Sequence, residues 1–498
     1  MRAKQTLKYP CSVELVTSNV KPVVNNPYQI RSKEQKKALE ENIEKFLDFG
    51  VIEEGPSEWK TSLFVVRQKT NEKQRSMDPN VQVWRVVQDF TPLNIHVKEQ
   101  ENMLPLIADT FQVAQGKNVF SVIDLSKAFF HIKVDPSSRK YFGISYASKQ
   151  LRMRSMPMGY KNSPSIFQRN MIECIMIPIQ NAFNQRTKTT DQNVAIYMDD
   201  IFLATETKTQ HLFLLQLLFS ILAKYKLTVS IHKSLIGKRK VPLLGSIITN
   251  RGRIVQPERI AALQKFIPPR NVAELRQWMG SLRYIADHIP DLNMALRHFD
   301  KLTGNVPATR ATLTPVSWTW ERLKAFENVQ QMIKQPRMLF HFDFNLPLFL
   351  ETDASNEGFG AFLFQTRGEG DMEEVRPLAY YSKKWSSGPE RAADPCRKEL
   401  SALKQSVSKM GKLLYIYSFT IITDNQGVFY LVKNFAEGKA PGNHLLTRFL
   451  GIICSHNVKS IVHKSTKEVF TSDALSRSAH LELEMEGQDP TALPNLFD

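Results

Sequence analysis

With 498 residues, 42% of them hydrophobic, the chain has room for about three or four domains of roughly 150 residues with real cores. Lys and Arg number 66 against 49 Asp and Glu, a net charge of +17, and so large a basic excess points to phosphate backbones as partners. Cys11, Cys174, Cys396 and Cys454 form no CxxC pair, which excludes a zinc ribbon or a dense disulfide framework, and the default is a reducing compartment.

Residues 1 to about 30 carry basic and Pro residues with little periodicity and read as a loose lead-in. From Ser32 to Gly50 the pattern is helical, with Leu39, Ile43, Phe46 and Leu47 inside and Lys36, Lys37, Glu40, Glu41 and Glu44 outside. Two strand-like runs follow, Ser62 to Arg67 and Val83 to Phe90, with a polar loop between them. The next strand, Val119 to Ile123, ends on Asp124. Pro157 to Pro164 leads into a helical stretch, Ser165 to Ile177. In Val194-Ala-Ile-Tyr-Met-Asp-Asp-Ile-Phe-Leu-Ala204, apolar β-formers flank Asp199 and Asp200, so the segment reads as strand, tight turn, strand. An acidic pair at a hairpin tip needs a counter-charge, and a divalent cation is the usual one. With Asp124, three aspartates on neighbouring strand ends can hold two Mg²⁺ ions. Such ions, roughly 3.5–4 Å apart, activate a 3′-hydroxyl and stabilise leaving pyrophosphate.

Farther on, Gln210 to Lys226 reads as an amphipathic helix, Leu227 to Ile231 as a strand, Val241 to Ile248 as a hairpin, and Asn271 to Ile285 and Trp318 to Gln335 as helices. The longest apolar run, Leu212 to Leu222, is too short to span a bilayer, and nothing resembles a secretory leader; a soluble protein without a membrane partner is expected. Asp353 ends a strand that begins near Leu346. Glu399 lies on a helix (Arg397 to Ala402), Asp424 at the end of a strand (Phe419 to Asn425), and Asp473 where Thr471 to Arg477 opens a helix.

Tyr197-Met-Asp-Asp200, the Asp124 segment, Met156-Pro-Met-Gly-Tyr-Lys-Asn-Ser-Pro164 and Trp84-Arg-Val-Val-Gln-Asp-Phe-Thr-Pro-Leu-Asn94 together resemble a reverse transcriptase, and the four later carboxylates recur in the order and context of ribonuclease H. The resemblance runs from Val51 to Arg477. It is nearest to long-terminal-repeat retroelements of the Ty3/gypsy type, with some retroviral features in Arg85 to Asp89 and Lys161 to Pro164. Motifs for a protease, a zinc knuckle and an integrase finger are missing, so the polymerase–RNase H portion of a Pol polyprotein, or a free-standing version, is expected.

What the resemblance implies is an α+β multidomain chain: a right-hand polymerase with fingers, palm and thumb, then a connection and an RNase H-like α/β domain. The expected division is 1–30 lead-in, 31–232 fingers and palm, 233–300 primer grip and thumb, 301–345 connection, 346–480 RNase H and 481–498 tail. Asp124, Asp199 and Asp200 would be catalytic and bind metal at the first site, and Asp353, Glu399, Asp424 and Asp473 at the second, with two Mg²⁺ ions at each and Mn²⁺ as the substitute. Arg85 would contact the triphosphate, Phe129 would exclude a 2′-hydroxyl, and Met158 would lie beside the base. Gln68 stands where the family has a phosphate-binding lysine; Arg67 and Lys69 flank it, Lys69 being the one taken. Lys161 faces either phosphate or solvent. Leu244 and Gly245 would grip the primer terminus, and Asn271 to Ile285 would be the first thumb helix or an ordinary packed one.

RNA template, DNA primer, RNA/DNA hybrid and dNTPs are the implied partners, with monomer, homodimer and processed heterodimer all open. By the same resemblance the protein would work in cytoplasmic capsids or virus-like particles, with a later nuclear stage. The implied function is RNA- and DNA-directed DNA synthesis with RNase H degradation of the RNA strand. Its rivals are a domesticated, non-catalytic binder of nucleic acid on the same fold, and a polymerase of the intron or telomerase kind, against which the C-terminal carboxylates speak.

Overall fold

The computed structural model describes residues 6–464 apart from 18, 31, 69–82, 102, 147–148, 291, 305, 357, 369–372 and 386–387. It divides into Met1–Val241 and Pro242–Asp498.

The first unit opens with an extended segment expected to be loose. In fact it is laid along the body by single bridges from Cys11 to Val134, Leu15 to Val97 and Val24 to Lys60. The cause is burial: Cys11 is fully covered, and Asn170 both donates to Tyr9 O and accepts from Tyr9 N. The helix Lys33–Asp48 then buries Leu39 and Ile43, with Phe46 and Leu47 half-buried behind them. A five-stranded sheet runs in the order Ile52–Glu54, Lys149–Met153, Gly143–Tyr146, Lys60–Gln68, Val83–Gln88. All its pairings are antiparallel except that of Lys60–Gln68 with Gly143–Tyr146.

The second sheet of this unit carries the acidic residues. Its order is Val194–Tyr197, Asp200–Thr205, Val119–Asp124, Leu235–Lys238, antiparallel throughout. The strand expected at 227–231 does not form. Only Val229 bridges, to Leu125, because the chain turns through 231–233 before it pairs at Leu235. The helical run after Pro164 is longer than expected: Ser163–Asn170 passes through a π turn, Met171–Met176, into Ile177–Thr187. Lys208–Lys224 packs beside it, with Phe183 stacked on Phe213 at 6.0 Å.

In the second unit, Trp278 is the centre of a helical core. Its ring meets Phe299 edge-on at 5.2 Å and Phe326 at 4.8 Å, and brings together Val272–Arg283, Arg297–Gly304 and Trp320–Met332. After it comes a five-stranded sheet in the order Glu374–Lys384, Gly358–Arg367, Leu348–Ala354, Phe419–Thr423, Val458–His463. Gly358–Arg367 is antiparallel to both of its neighbours, and the last two strands run parallel to Leu348–Ala354. Parallel pairing needs a crossover, and Pro395–Lys409 lies in that crossover, burying Leu400, Leu403 and Val407. Among the described residues no helix is long and apolar enough to cross a membrane.

Candidate active sites

In the first unit the acidic hairpin is built by register. Asp124 and Asp200 are direct partners across the antiparallel pair, and Tyr197 faces Asp200 across the next. The connecting turn is two residues, with Met198 at φ +56°, a left-handed conformation costly for a bulky residue. Gln168, fully buried, holds it: its side-chain oxygen accepts from Met198 N at 2.8 Å, and its amide donates to Ile196 O at 2.7 Å. Leu125 N donates to Asp199 O, which ties the other side of the tip to the Asp124 strand. The backbone of Asp124 is held by Ser234 Oγ, which accepts from Asp124 N at 3.1 Å, and by Ser230 N, which donates to Asp124 O.

Electrostatics follow from that crowding. Burial, then the neighbouring charges of Asp199 and Asp124, push the Asp200 carboxyl up to about 6, against the opposing pull of Lys233. Lys233 Nζ lies 3.7 Å from Asp124 Oδ1. Three carboxylates gathered at one hairpin tip offer the hard oxygen donors that suit Mg²⁺. Among the described residues, however, no three acidic, His or Cys side chains close up into a ready metal cage.

Around this centre the nucleotide candidates are scattered. Phe129 stacks on Phe167 at 4.8 Å, so it is packed and half-buried. Arg85 is exposed, opposite Val66 in its strand pair. Met158 is 42% exposed, and its loop is pinned by Asn94, which donates to Gly159 O and accepts from Lys161 N. Lys161 Nζ is paired with Glu99 at 3.3 Å. Lys69 lies outside the described residues.

The second unit holds Leu244 and Gly245 at the tip of the 241–248 hairpin, at φ +44° and +75°. Tyr284, at the end of Val272–Arg283, donates its hydroxyl to Leu244 O, and the Arg259 guanidinium lies over the Tyr284 ring at 4.0 Å. A Cβ at position 245 would stand 2.7 Å from the Tyr284 hydroxyl, so only glycine fits.

The later carboxylates gather at one end of the five-stranded sheet. Asp353 is near the end of Leu348–Ala354, and Asp424 directly follows the parallel Phe419–Thr423. Glu399 is buried on the crossover helix, and its Oε1 accepts from Ala354 N at 2.8 Å. Burial pushes its carboxyl up to about 8, the Ala354 N–H pulls down, and Asp353 and Asp424 push up again. Glu399 Oε2 is buried without a hydrogen-bond partner, which a cation would satisfy. Asp473 lies outside the described residues. His463 donates from Nε2 to Asp424 O at 3.1 Å, from a strand position opposite Thr423. Gln168, Ser234 and Lys233 escaped the sequence reading. Only the fold brings them to the aspartates, although Gln168 lies four residues past the end of the recognised Pro164 segment.

The chain matches the model of a family described as reverse transcriptase (RNA-dependent DNA polymerase) over residues 64–248, and that of an RNase H-like domain found in reverse transcriptase over 318–421. It is 27% identical over 474 residues to a retrovirus-related Pol polyprotein from transposon opus of Drosophila melanogaster, covering 93% of this chain and 44% of that one. It is 28% identical to the transposon Tf2-3 polyprotein of Schizosaccharomyces pombe, covering 79% and 28%. The chain thus spans less than half the length of these relatives. A foamy viral protease-reverse transcriptase in complex with dsDNA is similar in fold, with TM-score 0.72, 22% identity, and 93% of this chain and 89% of that one covered. The same kind of protein in complex with an RNA/DNA hybrid gives TM-score 0.70 at 20% identity, covering 99% and 61%.

Proposed function

We propose that this chain, which carries reverse transcriptase and RNase H-like domains and is similar to the Pol polyproteins of long-terminal-repeat retroelements, copies retroelement RNA into DNA and degrades the RNA strand of the resulting hybrid. The observation that carries the reading is the in-register pair of Asp124 and Asp200 with Asp199 at the adjoining turn. RNA template, DNA primer, RNA/DNA hybrid and dNTPs are the proposed partners, in keeping with the +17 charge. Fingers and palm would occupy residues 31–232, primer grip and thumb 233–300, the connection 301–345 and RNase H 346–480.

Asp124, Asp199 and Asp200 would hold two divalent ions, and Asp353, Glu399 and Asp424, with Asp473, two more. When bound, such ions lower the pKa of the attacking hydroxyl or water and neutralise the leaving oxygens. The chain's own groups do the positioning. Gln168 and Ser234 hold the backbone under the aspartates, so the carboxylate oxygens are presented at fixed strand ends. Arg85 would take the triphosphate charge, Phe129, braced on Phe167, would stand against a 2′-hydroxyl, Met158 would line the base, and Leu244 and Gly245 would seat the primer end. In the second site Glu399 is fixed by the Ala354 N–H and would give up its proton on metal binding.

Primer extension on a heteropolymeric RNA template with Mg²⁺ tests the proposal, with DNA product and RNA strand read on one gel. Growing DNA and shortening RNA support it. Binding of hybrid with neither reaction in Mg²⁺ or Mn²⁺ would put the non-catalytic binder in its place.

A further inference from the structure

At the end of the five-stranded sheet opposite the carboxylates lies a cavity of about 120 Å³, walled by Phe342, Phe344 and Tyr417 with Ser418, Thr420 and Lys459 at its polar side. The three rings form one cluster: Phe342 meets Phe344 edge-on at 5.5 Å, Tyr417 meets Phe342 at 4.5 Å, and Tyr417 meets Phe344 at 5.3 Å. Phe342 is the buried floor, whereas Phe344 is 63% exposed, an unusual position for a phenylalanine that already has two aromatic neighbours. Next to the cavity Tyr415 and Ile416 are also exposed, at 58% and 67%.

We propose that this pocket holds one unstacked base of a single-stranded nucleic acid, with the rings against its face, the Ser418 and Thr420 hydroxyls at its edge and Lys459 on its phosphate. Three aromatic walls alone would equally suit a quaternary ammonium, but the Lys459 ammonium at the rim repels a cation and attracts an anion. The Thr420 hydroxyl already meets Ser460 Oγ at 2.9 Å, but a purely apolar peptide side chain would leave the Ser418 hydroxyl and the lysine without use. A nucleotide combines a flat ring with a phosphate, and stacking on aromatic side chains beside a cation is how single strands are held without regard to sequence. The pocket is bordered where Leu348 pairs with Phe419, whereas Asp353 and Asp424 stand at the far ends of the same strands. Five residues of strand separate the two places, roughly 17 Å. A base held here is therefore not the one being cleaved, and the pocket anchors a neighbouring single-stranded stretch.

The test uses the full chain in EDTA, so that neither carboxylate site turns over and the result does not depend on the proposed activities. A short oligouridylate carrying 5-iodouridine is photocrosslinked to the chain, and adducts are mapped by mass spectrometry. Adducts at Tyr417 or Phe344 are expected. In Phe344→Ala the oligonucleotide concentration for half-maximal Tyr417 adduct should rise roughly tenfold, the loss of one stacking partner. It should return towards wild type in Phe344→Trp and rise again in Lys459→Glu. UMP should compete, and tetramethylammonium should not. Adducts confined to other residues, an unchanged concentration in both Phe344→Ala and Lys459→Glu, or displacement by tetramethylammonium alone would each overturn the proposal. Phe344 and Lys459 are exposed, so these variants are expected to fold.

Discussion

Gln168 and Met198 meet through a single hydrogen bond, 2.8 Å from the Met198 backbone nitrogen to the Gln168 side-chain oxygen, beneath the turn that carries Asp199. With the second bond to Ile196 O, one buried amide holds both the incoming strand and the turn. Replacement by leucine would leave two buried backbone groups unpaired, each costing roughly 1–3 kcal/mol. In Gln168→Leu we expect primer extension to fall by about tenfold or more, with RNA cleavage by the second unit unchanged. Equal loss of both activities would point to general unfolding instead.

The two carboxylate sets belong to separate units, so their losses should be separable. Asp199→Asn should abolish extension and leave hybrid binding and RNA cleavage near wild type. Asp424→Asn should do the reverse. Side-by-side gels of extension and cleavage decide it, and retained polymerisation in Asp199→Asn would remove that residue from the metal site.

Glu399 makes a prediction about pH. Its folded pKa, about 8, lies above the usual carboxylate value of 4.5, so between those values the folded state without metal binds the extra proton. Stability without metal therefore falls as pH rises through this window. Glu399→Gln, which cannot ionise, should be the more stable protein in EDTA, by about 1 kcal/mol or more at pH 8 and by little at pH 5. Urea denaturation of both proteins at these two pH values is the measurement. The same variant should lose RNA cleavage, and wild-type Mg²⁺ binding below pH 8 should release a proton that calorimetry in two buffers detects.

His211 runs the other way. It is buried between Ser121 Oγ at 2.6 Å and Thr205 Oγ1 at 2.9 Å, and burial pushes it down to about 4 from 6.5. Since its folded value is depressed, the unfolded chain binds the proton between pH 6.5 and 4, and stability is lost as pH falls through that range. The slope is roughly 1 kcal/mol per pH unit from this residue. His211→Gln should flatten the acid limb of the first unit's stability curve. An unchanged limb would mean that the imidazole is not the titrating group.

Gly245 has no room for a methyl group: a Cβ there would meet Tyr284 and Arg259 atoms at 2.7 and 2.9 Å. Gly245→Ala should cost about 1 kcal/mol or more, since it combines a left-handed φ with overpacking. Extension should weaken while cleavage of a preformed hybrid persists. Melting temperature and primer-extension yield, measured together, separate the fold effect from the primer effect.

The hairpin around Asp199 and Asp200 was legible because local pattern suffices there: β-formers on both sides of a polar pair leave one way to bury the apolar faces. The helices at 33–48 and 272–283 were legible for the same reason, through their apolar spacing. Where pairing is long-range, the sequence was ambiguous. Leu227 to Ile231 has the composition of a strand, yet the edge place beside Val119–Asp124 goes to Leu235–Lys238, which tertiary hydrogen bonding selects. Composition alone also could not place Gln168, Ser234, Lys233 or His463 beside carboxylates up to 110 residues away, as with Ser234 and Asp124. The residue types and the order of the acidic groups were determined by the sequence itself, because each sits in a short motif with its own local geometry. Which groups press against which, and so which carboxyls are pushed up and which turn is held, only the tertiary structure decided, because burial and charge proximity are properties of packed elements and not of neighbours in the chain.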